Sequence, residues 1–255
     1  MIYINSYKQL SEVENFNKKL KNKIKSLLIN NILKKNFKFK KGFIIYPFYH
    51  HVFNDEIKNF KSQLIYMRNL GDFISYDDSL KILKTGLKNK DRYFCLSFDD
   101  GFKNIFNNVS EILLNFKIPS TFFIPTSFID NTREDSGKVF FNNNNIAIEF
   151  LSWDDCKKML SEKLFTFGSH SVNHKLISKL SMEDSIFELV KSKEVIENKL
   201  GVECNHFAPP VGDFSVTRDK ISIKKAGYKS LSTTVRGKMT DDQLDTFFLN
   251  RHHLL

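Results

Sequence analysis

Short apolar segments alternate with helical segments over most of this chain, from about residue 42 to its end. Typical apolar segments read FIIYPFY, YFCLSF, STFFI and LFTFG, with few of the polar positions expected of a strand that has one solvent-exposed face. Such strands are typical of parallel sheets that are covered by helices on both sides. About seven strand–helix units follow one another, which favours an α/β barrel over an open sheet.

Helix boundaries can be assigned from capping residues. Ser152 and Ser181 are expected to begin helices, since a serine side chain can accept a hydrogen bond from the first turn. Gly71 and Gly201 are expected to end helices, because glycine readily adopts the left-handed backbone of a helix terminus. The helix between Ser181 and Gly201 is predicted to bury an apolar face made of Ile186, Leu189, Ile196 and Leu200.

The first forty residues differ from the rest of the chain. Leu20, Ile24 and Leu27 recur at helical spacing with lysines between them, which predicts a basic amphipathic helix. We therefore divide the chain into a basic helical extension, residues 1–41, and an α/β domain, residues 42–255. The helix could pack on the domain or make weak contact with a membrane surface.

Charge and cysteine usage narrow the function classes. The net charge is +10 over 255 residues, but most lysines are spread along the chain and mixed with acidic residues. No nucleic-acid-binding motif accompanies this charge, so nucleic acid is not an expected partner. Cys95, Cys156 and Cys204 are far apart and form no CxxC pair, which indicates reduced thiols. No signal peptide or membrane span is evident, and the expected location is the cytoplasm.

Polar residues that suit metal chemistry stand at the ends of the predicted strands. Asp99 and Asp100 follow YFCLSF, while His170 and His174 follow LFTFGS. The carboxyl ends of parallel strands meet on one face of a barrel, so these side chains should converge. Two imidazoles and one carboxylate make a three-ligand site for zinc or a similar divalent cation, and the second carboxylate stays free beside it as a base.

The motifs that carry these residues are similar to those of a known family. SFDDGF followed by FGSHSVNHKLISKLS resembles the first two motifs of the polysaccharide deacetylase family, which shares the NodB homology domain. The stretch from ENKLGVECNHFAPPVGDFS to KKAGYKSLSTT resembles its third motif and the segment after it. The resemblance implies a distorted (β/α)7 barrel and metal-dependent removal of an acyl group from an acylated amino sugar.

Residue roles follow from the resemblance position by position. Asp100, His170 and His174 would hold the metal, which is usually zinc in this family, and Asp99 would be the general base. The metal would lower the pKa of water and polarise the amide carbonyl. The third motif implies substrate-binding positions at Pro209, Pro210 and Gly212.

Two departures from the family pattern affect these assignments. Ala208 and Val211 stand where many members have an arginine and an aromatic residue, and Arg251 is a candidate to replace that arginine beside Asp99. The usual late histidine motif is also unclear, because His252 and His253 match it poorly. Some relatives supply the acid histidine from the first strand in a YH pair, so His50 is assigned as the general acid.

The leading hypothesis is a metal-dependent N-deacetylase acting on an amino sugar of a surface polysaccharide or its precursor. The alternative is a noncatalytic, glycan-binding relative of the same fold, which the departures at Ala208 and Val211 would favour. A phosphatase of the haloacid dehalogenase type is disfavoured, since that chemistry needs Asp-x-Asp rather than Asp-Asp. The sugar, the acyl group and the oligomeric state stay open.

Overall fold

The structure is a computed structural model that describes residues 2–13, 41–131, 134–240 and 246–254. Its strands are β1 (Ile2–Tyr3), β2 (Phe43–Tyr49), β3 (Asp72–Phe73), β4 (Arg92–Phe94), β5 (Leu96–Phe98), β6 (Ser120–Ile124), β7 (Ile146–Ala147), β8 (Phe165–Ser169), β9 (His206–Phe207), β10 (Ser230–Thr233) and β11 (Phe248–His253). Within these ranges, seven parallel strands close into a barrel in the order β2-β5-β6-β8-β9-β10-β11, and β11 returns to pair with β2. The predicted barrel is confirmed.

Helices surround the barrel and begin and end largely where capping residues predict. They are α1 (Tyr7–Val13), α2 (Ile57–Leu70), α3 (Tyr76–Thr85), α4 (Ser110–Asn115), α5 (Ser136–Phe141), α6 (Trp153–Ser161), α7 (Met182–Leu200) and α8 (Asp219–Lys225). The side chains of Ser152 and Ser181 accept hydrogen bonds from backbone N–H groups in the first turns of α6 and α7. Gly71 and Gly201 lie at the ends of α2 and α7.

The buried face of α7 differs from the predicted one. Leu189 and Ile196 are buried as expected, but Ile186 is 44% exposed. Ser185, Glu188 and Ser192 are buried instead. Two of these polar side chains have partners there: the Ser192 hydroxyl bonds to the Ser169 hydroxyl of β8, and Glu188 binds a loop above the barrel. Burial of hydrogen-bonded polar groups of this kind leaves no signal in hydrophobic periodicity.

The segment YFCLSF forms two strands rather than one. β4 pairs with the first half of β2 and with β3, whereas β5 pairs with the second half of β2 and with β6. The chain changes partners at Cys95, whose N–H still donates to the Ile45 carbonyl. Only the second half, which leads to Asp99, belongs to the barrel.

Side chains along the barrel strands alternate between two apolar clusters. Phe122 and Phe167 belong to the large cluster between strands and outer helices. Phe123 belongs to the second, which we call the inner cluster. Gly168 lies opposite it in the same layer, where a Cβ atom would come within 2.6 Å of the Phe123 ring. The inner cluster consists of Ile44, Tyr46, Tyr76, Leu80, Leu87, Cys95, Phe123, Ala208, Met239 and Leu249.

The N-terminal residues that the structure describes pack beside the barrel. β1 pairs in parallel with β7, and Leu10 of α1 is buried in an apolar cluster with Phe102 and Phe150. The predicted amphipathic helix and its membrane contact lie largely in residues 14–40, outside the described residues, and the domain boundary at residue 42 stays a prediction. Among the described helices, none combines the length and apolar character needed to cross a membrane. The cellular location stays a prediction as well.

Candidate metal centre and active-site cleft

The inward side chains at the ends of β2 and β11 come together above the inner cluster. Tyr46 of β2 and Leu249 of β11 point inward, and alternate residues of a strand share a face. His50 therefore continues the inward row of β2, while Arg251 and His253 continue that of β11. Both histidines line the same cleft.

Asp100, His170 and His174 form a compact set of metal-ligand atoms. One ligand atom from each lies within 4.8 Å of the others. The Oδ1 atom of Asp100 is 3.3 Å from Nε2 of His170 and 3.2 Å from Nε2 of His174. This oxygen is buried and has no hydrogen-bond partner in the structure. Burial raises the pKa of the Asp100 carboxyl, but the two imidazoles lower it by more, so the pKa lies well below its usual range.

The hydrogen bond of His170 shows that this set fits a cation. Its Nδ1 atom lies 2.7 Å from the Ala208 carbonyl oxygen, which can only accept, so Nδ1 carries the hydrogen. In a neutral imidazole the lone pair is then on Nε2, the atom that faces Asp100. A lone pair and a carboxylate oxygen that face each other across 3.3 Å need a positive charge between them. The donor set of two imidazoles and one carboxylate suits zinc and similar divalent cations.

Unusual backbone conformations aim the ligands of this set. Asp100 has φ +70°, His174 has φ +54° and Ser171 has φ +66°, so three non-glycine residues adopt left-handed backbone beside the same site. Such residues are uncommon and occur where the surroundings compensate for the strain. One compensation is the Ser171 hydroxyl, which accepts the N–H of His174 at 3.1 Å.

Glu188 of α7 holds the loop that carries His174. Its Oε2 atom accepts the N–H groups of Val172 and Asn173, both at 2.8 Å, and its Oε1 atom accepts the Asn173 side-chain amide at 2.7 Å. Glu188 is buried, so these three bonds form away from solvent. A buried carboxylate with three donors stabilises this loop conformation strongly. Glu188 was not predicted from the sequence, because this residue lies on a helix face that was expected to be apolar.

Asp99 is paired with Arg251 behind the metal-ligand set. Nη1 and Nη2 of Arg251 donate to Oδ1 and Oδ2 of Asp99, each at 2.7 Å. Nε donates to the Thr233 carbonyl, and the guanidinium lies over the Phe48 ring at 4.1 Å from its centroid. Burial lowers the pKa of Arg251, but the Asp99 carboxylate more than offsets it and the pKa is raised. The arginine that is absent at Ala208 therefore has a counterpart from the last strand.

His50 contacts a second histidine at the edge of the cleft. Its Nδ1 atom lies 3.0 Å from Nε2 of His253, within hydrogen-bond distance, and the two rings meet edge to face. Burial lowers the pKa of His50, while the carboxylates of Asp100 and Asp99 offset part of that effect. His253 matches the late histidine motif poorly and has no predicted role in the site; the inward alternation of Leu249 and Arg251 is the signal that could have found it.

These residues line one cleft of about 570 Å³. Asp99, Asp100, His50, His170, His174, Pro209 and Gly212 contribute to its wall. Arg251 and Pro210 are buried behind this surface rather than on it. An apolar side of the cleft was not expected from the sequence, and it is formed by Tyr7, Leu10, Phe48, Val139, Phe140 and Phe141. The arrangement brings a set of possible metal ligands, a second carboxylate and an imidazole together in one cleft.

The chain matches known sequences over a region that includes Asp99, Asp100, His170 and His174. The family model described as polysaccharide deacetylase matches residues 86–231. Poly-beta-1,6-N-acetyl-D-glucosamine N-deacetylases of Staphylococcus aureus strains MSSA476 and N315 are each 30% identical over 186 residues, which is 69% of this chain and 57% of the relative. The chain thus spans little more than half the length of these curated relatives.

Solved structures share the fold at low sequence identity. IcaB from Ammonifex degensii has a TM-score of 0.71 and 19% identity, with 85% of this chain and 93% of that chain covered. The Streptococcus pyogenes deacetylase PplD in complex with acetate has a TM-score of 0.67 and 22% identity, with 84% and 92% covered. The deacetylase domain of BpsB from Bordetella bronchiseptica has a TM-score of 0.68 and 16% identity, with 83% and 96% covered. At these identities the likeness concerns the barrel fold.

Proposed function

The chain belongs to the polysaccharide deacetylase family, and from this premise we propose that it is a metal-dependent hydrolase that removes an N-acetyl group from an amino sugar of a surface polysaccharide or its precursor. The observation that carries the proposal is the buried Oδ1 atom of Asp100, which faces two imidazole nitrogens and has no hydrogen-bond partner. A second carboxylate, Asp99, lines the same cleft. A cation that polarises the carbonyl and a base that takes a proton from water are together what metal-assisted amide hydrolysis requires.

In this proposal Asp100, His170 and His174 hold a divalent cation, and zinc is the expected one. When bound, the cation supplies Lewis acidity, which lowers the pKa of water and polarises the carbonyl of the scissile amide. The protein keeps these ligand side chains in place by hydrogen bonds. The Ala208 carbonyl accepts a hydrogen bond from His170, and Ser171 and Glu188 accept hydrogen bonds from the loop that carries His174.

Asp99 is proposed as the general base. Its two carboxylate oxygens accept hydrogen bonds from the Arg251 guanidinium, which fixes the plane of the carboxylate. Each oxygen keeps a lone pair that can accept a proton from the attacking water. The proton passes to Asp99 as the oxygen–carbon bond forms at the amide carbonyl.

His50 is proposed as the general acid that protonates the leaving amine. Because Nδ1 of His50 is occupied by His253, the Nε2 atom is the one left to face a substrate. A protonated His50 would donate through Nδ1 to His253 and through Nε2 to the amine nitrogen as the carbon–nitrogen bond breaks. This sequence of transfers leaves acetate and a free amino sugar.

The noncatalytic alternative loses its main support. It rested on Ala208 and Val211, which replace an arginine and an aromatic residue of the family pattern. The pair of Arg251 and Asp99 supplies an arginine to the base from another strand, so the departure at Ala208 does not argue against catalysis. We keep hydrolysis as the proposal.

The experiment is acetate release by the purified chain. Because the curated relatives are named for β-1,6-linked N-acetylglucosamine, oligosaccharides with that linkage are the first substrates, followed by β-1,4-linked oligosaccharides and a nucleotide-linked N-acetylglucosamine. We expect release from at least one of them, with loss of release in a chelator and recovery on addition of zinc. Metal-replete protein that releases acetate from none of these substrates would overturn the proposal.

A further inference from the structure

Val211 adopts a backbone conformation that valine rarely occupies. Its φ is +59° and its ψ is 8°, in the left-handed region. Eight described residues other than glycine have positive φ, and among those eight Val211 alone is branched at Cβ. Branching at Cβ makes this region costlier for valine than for asparagine, aspartate or serine. A site that tolerates the strain is expected to have a use for the side chain.

The turn around Val211 is fixed by its neighbours and cannot relax toward an ordinary conformation. The N–H groups of Gly212 and Asp213 donate to the carbonyls of Pro209 and Pro210 at 2.9 and 3.0 Å. Gly212 has φ +73°, and a Cβ atom there would lie 2.0 Å from Oγ1 of Thr234, so the backbone is pressed against that side chain. A glycine or asparagine at position 211 would satisfy the same turn with less strain.

The Val211 side chain points into the substrate cleft rather than into the protein. It is 72% exposed, which is the largest exposure among the big apolar side chains in the described part of the chain. It lines the cleft together with Asp99, Asp100 and His174. An apolar group in this position gains nothing from burial in the free protein, so neither packing nor backbone preference explains valine here.

We propose that Val211 is a substrate-contact residue whose isopropyl group packs against the apolar C–H face of the sugar ring bound beside the metal-ligand set. The inference rests on the proposed function, which provides an amino sugar as the ligand. A pyranose ring presents C–H groups on one face, and burying them against an aliphatic side chain favours binding.

Three variants separate substrate contact from backbone strain. Val211→Asn suits the left-handed conformation but removes the apolar group. Val211→Leu keeps an apolar group and removes the branch at Cβ. Lys163→Asn is the matched control, since Lys163 also has positive φ, at +58°, but is exposed at the end of α6 and does not line the cleft. Each is compared with the wild type by thermal unfolding and by the kinetics of acetate release.

For Val211→Asn we expect a Tm about 2–4 °C higher and a KM about 3- to 10-fold higher, with a smaller change in kcat. Val211→Leu should have a KM closer to the wild-type value than Val211→Asn has. Lys163→Asn should raise the Tm without changing KM.

An unchanged KM in Val211→Asn, together with an active wild type, would overturn this inference and leave the proposed function standing. So would a KM that rises equally in Lys163→Asn. If the wild type releases no acetate, calorimetric titration with a β-1,6-linked glucosamine oligosaccharide replaces KM as the readout. Weaker binding by Val211→Asn would then support the contact, and absence of binding by the wild type would overturn the inference together with the function.

Discussion

Arg251 and Asp99 form a bidentate ion pair across the barrel, although 152 residues separate them in the chain. Both N···O distances are 2.7 Å, and neither residue is appreciably exposed. The guanidinium also donates to the Thr233 carbonyl and lies over the Phe48 ring, so its position is set from three sides. An ion pair of this geometry fixes the plane of the carboxylate that we propose as the base.

Substitution of Arg251 should therefore lower both the free energy of unfolding and kcat. Arg251→Gln leaves the Asp99 carboxylate buried without its partner, and we expect the free energy of unfolding to fall by about 3–5 kcal/mol. In molecules that stay folded, kcat should fall at least about 10-fold because the base is no longer oriented. Urea unfolding and acetate release measure the two effects. Arg68→Gln is the control on an exposed arginine, and equal stability of the two variants would contradict the account.

The buried His50 should make the metal-free protein less stable in mild acid. Burial lowers the pKa of His50 from its ordinary value of 6.5, so the unfolded chain binds more protons than the folded chain below that pH. The stability that neutral, buried His50 contributes is fully present above pH 6.5, and it is lost as the pH falls toward the lowered pKa. The Tm of chelator-treated wild type should fall between about pH 7 and about pH 5, and that of His50→Gln should fall less.

His252 adds a contribution of the same sign, since burial lowers its pKa as well. The Tm of the His50→Gln variant is therefore expected to retain some pH dependence. Identical Tm profiles for wild type and His50→Gln over this pH range would show that His50 is not held in the neutral form.

Glu188 should control metal affinity without touching the metal. Glu188→Gln replaces one carboxylate oxygen with an amide donor and weakens the three bonds that hold the loop before His174. We expect the zinc affinity to fall by about 10- to 100-fold, as for other residues that orient metal ligands. Competition with a fluorescent chelator measures this directly. Glu194→Gln, an exposed position on the same helix, should bind zinc as the wild type does.

The barrel could be predicted from the sequence because continuous apolar runs identify buried parallel strands. The same reasoning places residues that follow those strands on one face, and Asp99, Asp100, His170 and His174 do lie together in the cleft. Strand alternation also explains why His50 lies inward while His51 lies beside Glu56.

Other parts of the site depend on contacts that local patterns do not reveal. His253 meets His50 across 203 residues, and no spacing rule links the two. Glu188 is a charged residue buried for its hydrogen bonds, so a search for apolar periodicity passes over it. The apolar side of the cleft includes Tyr7, Phe140 and Phe141, which belong to two segments that are brought together by the pairing of β1 with β7 and by a shared apolar cluster.

Asp99 and the metal-ligand set are assigned separate roles, and measurements of bound zinc and acetate release in Asp99→Asn and His170→Ala distinguish these roles. Thermal unfolding of each variant establishes that it is folded at the assay temperature. We predict that Asp99→Asn keeps about one zinc per chain and that its turnover falls by about 10²- to 10⁴-fold. His170→Ala should lose both zinc and turnover. Near-normal turnover in Asp99→Asn, or full zinc occupancy in His170→Ala, would contradict it.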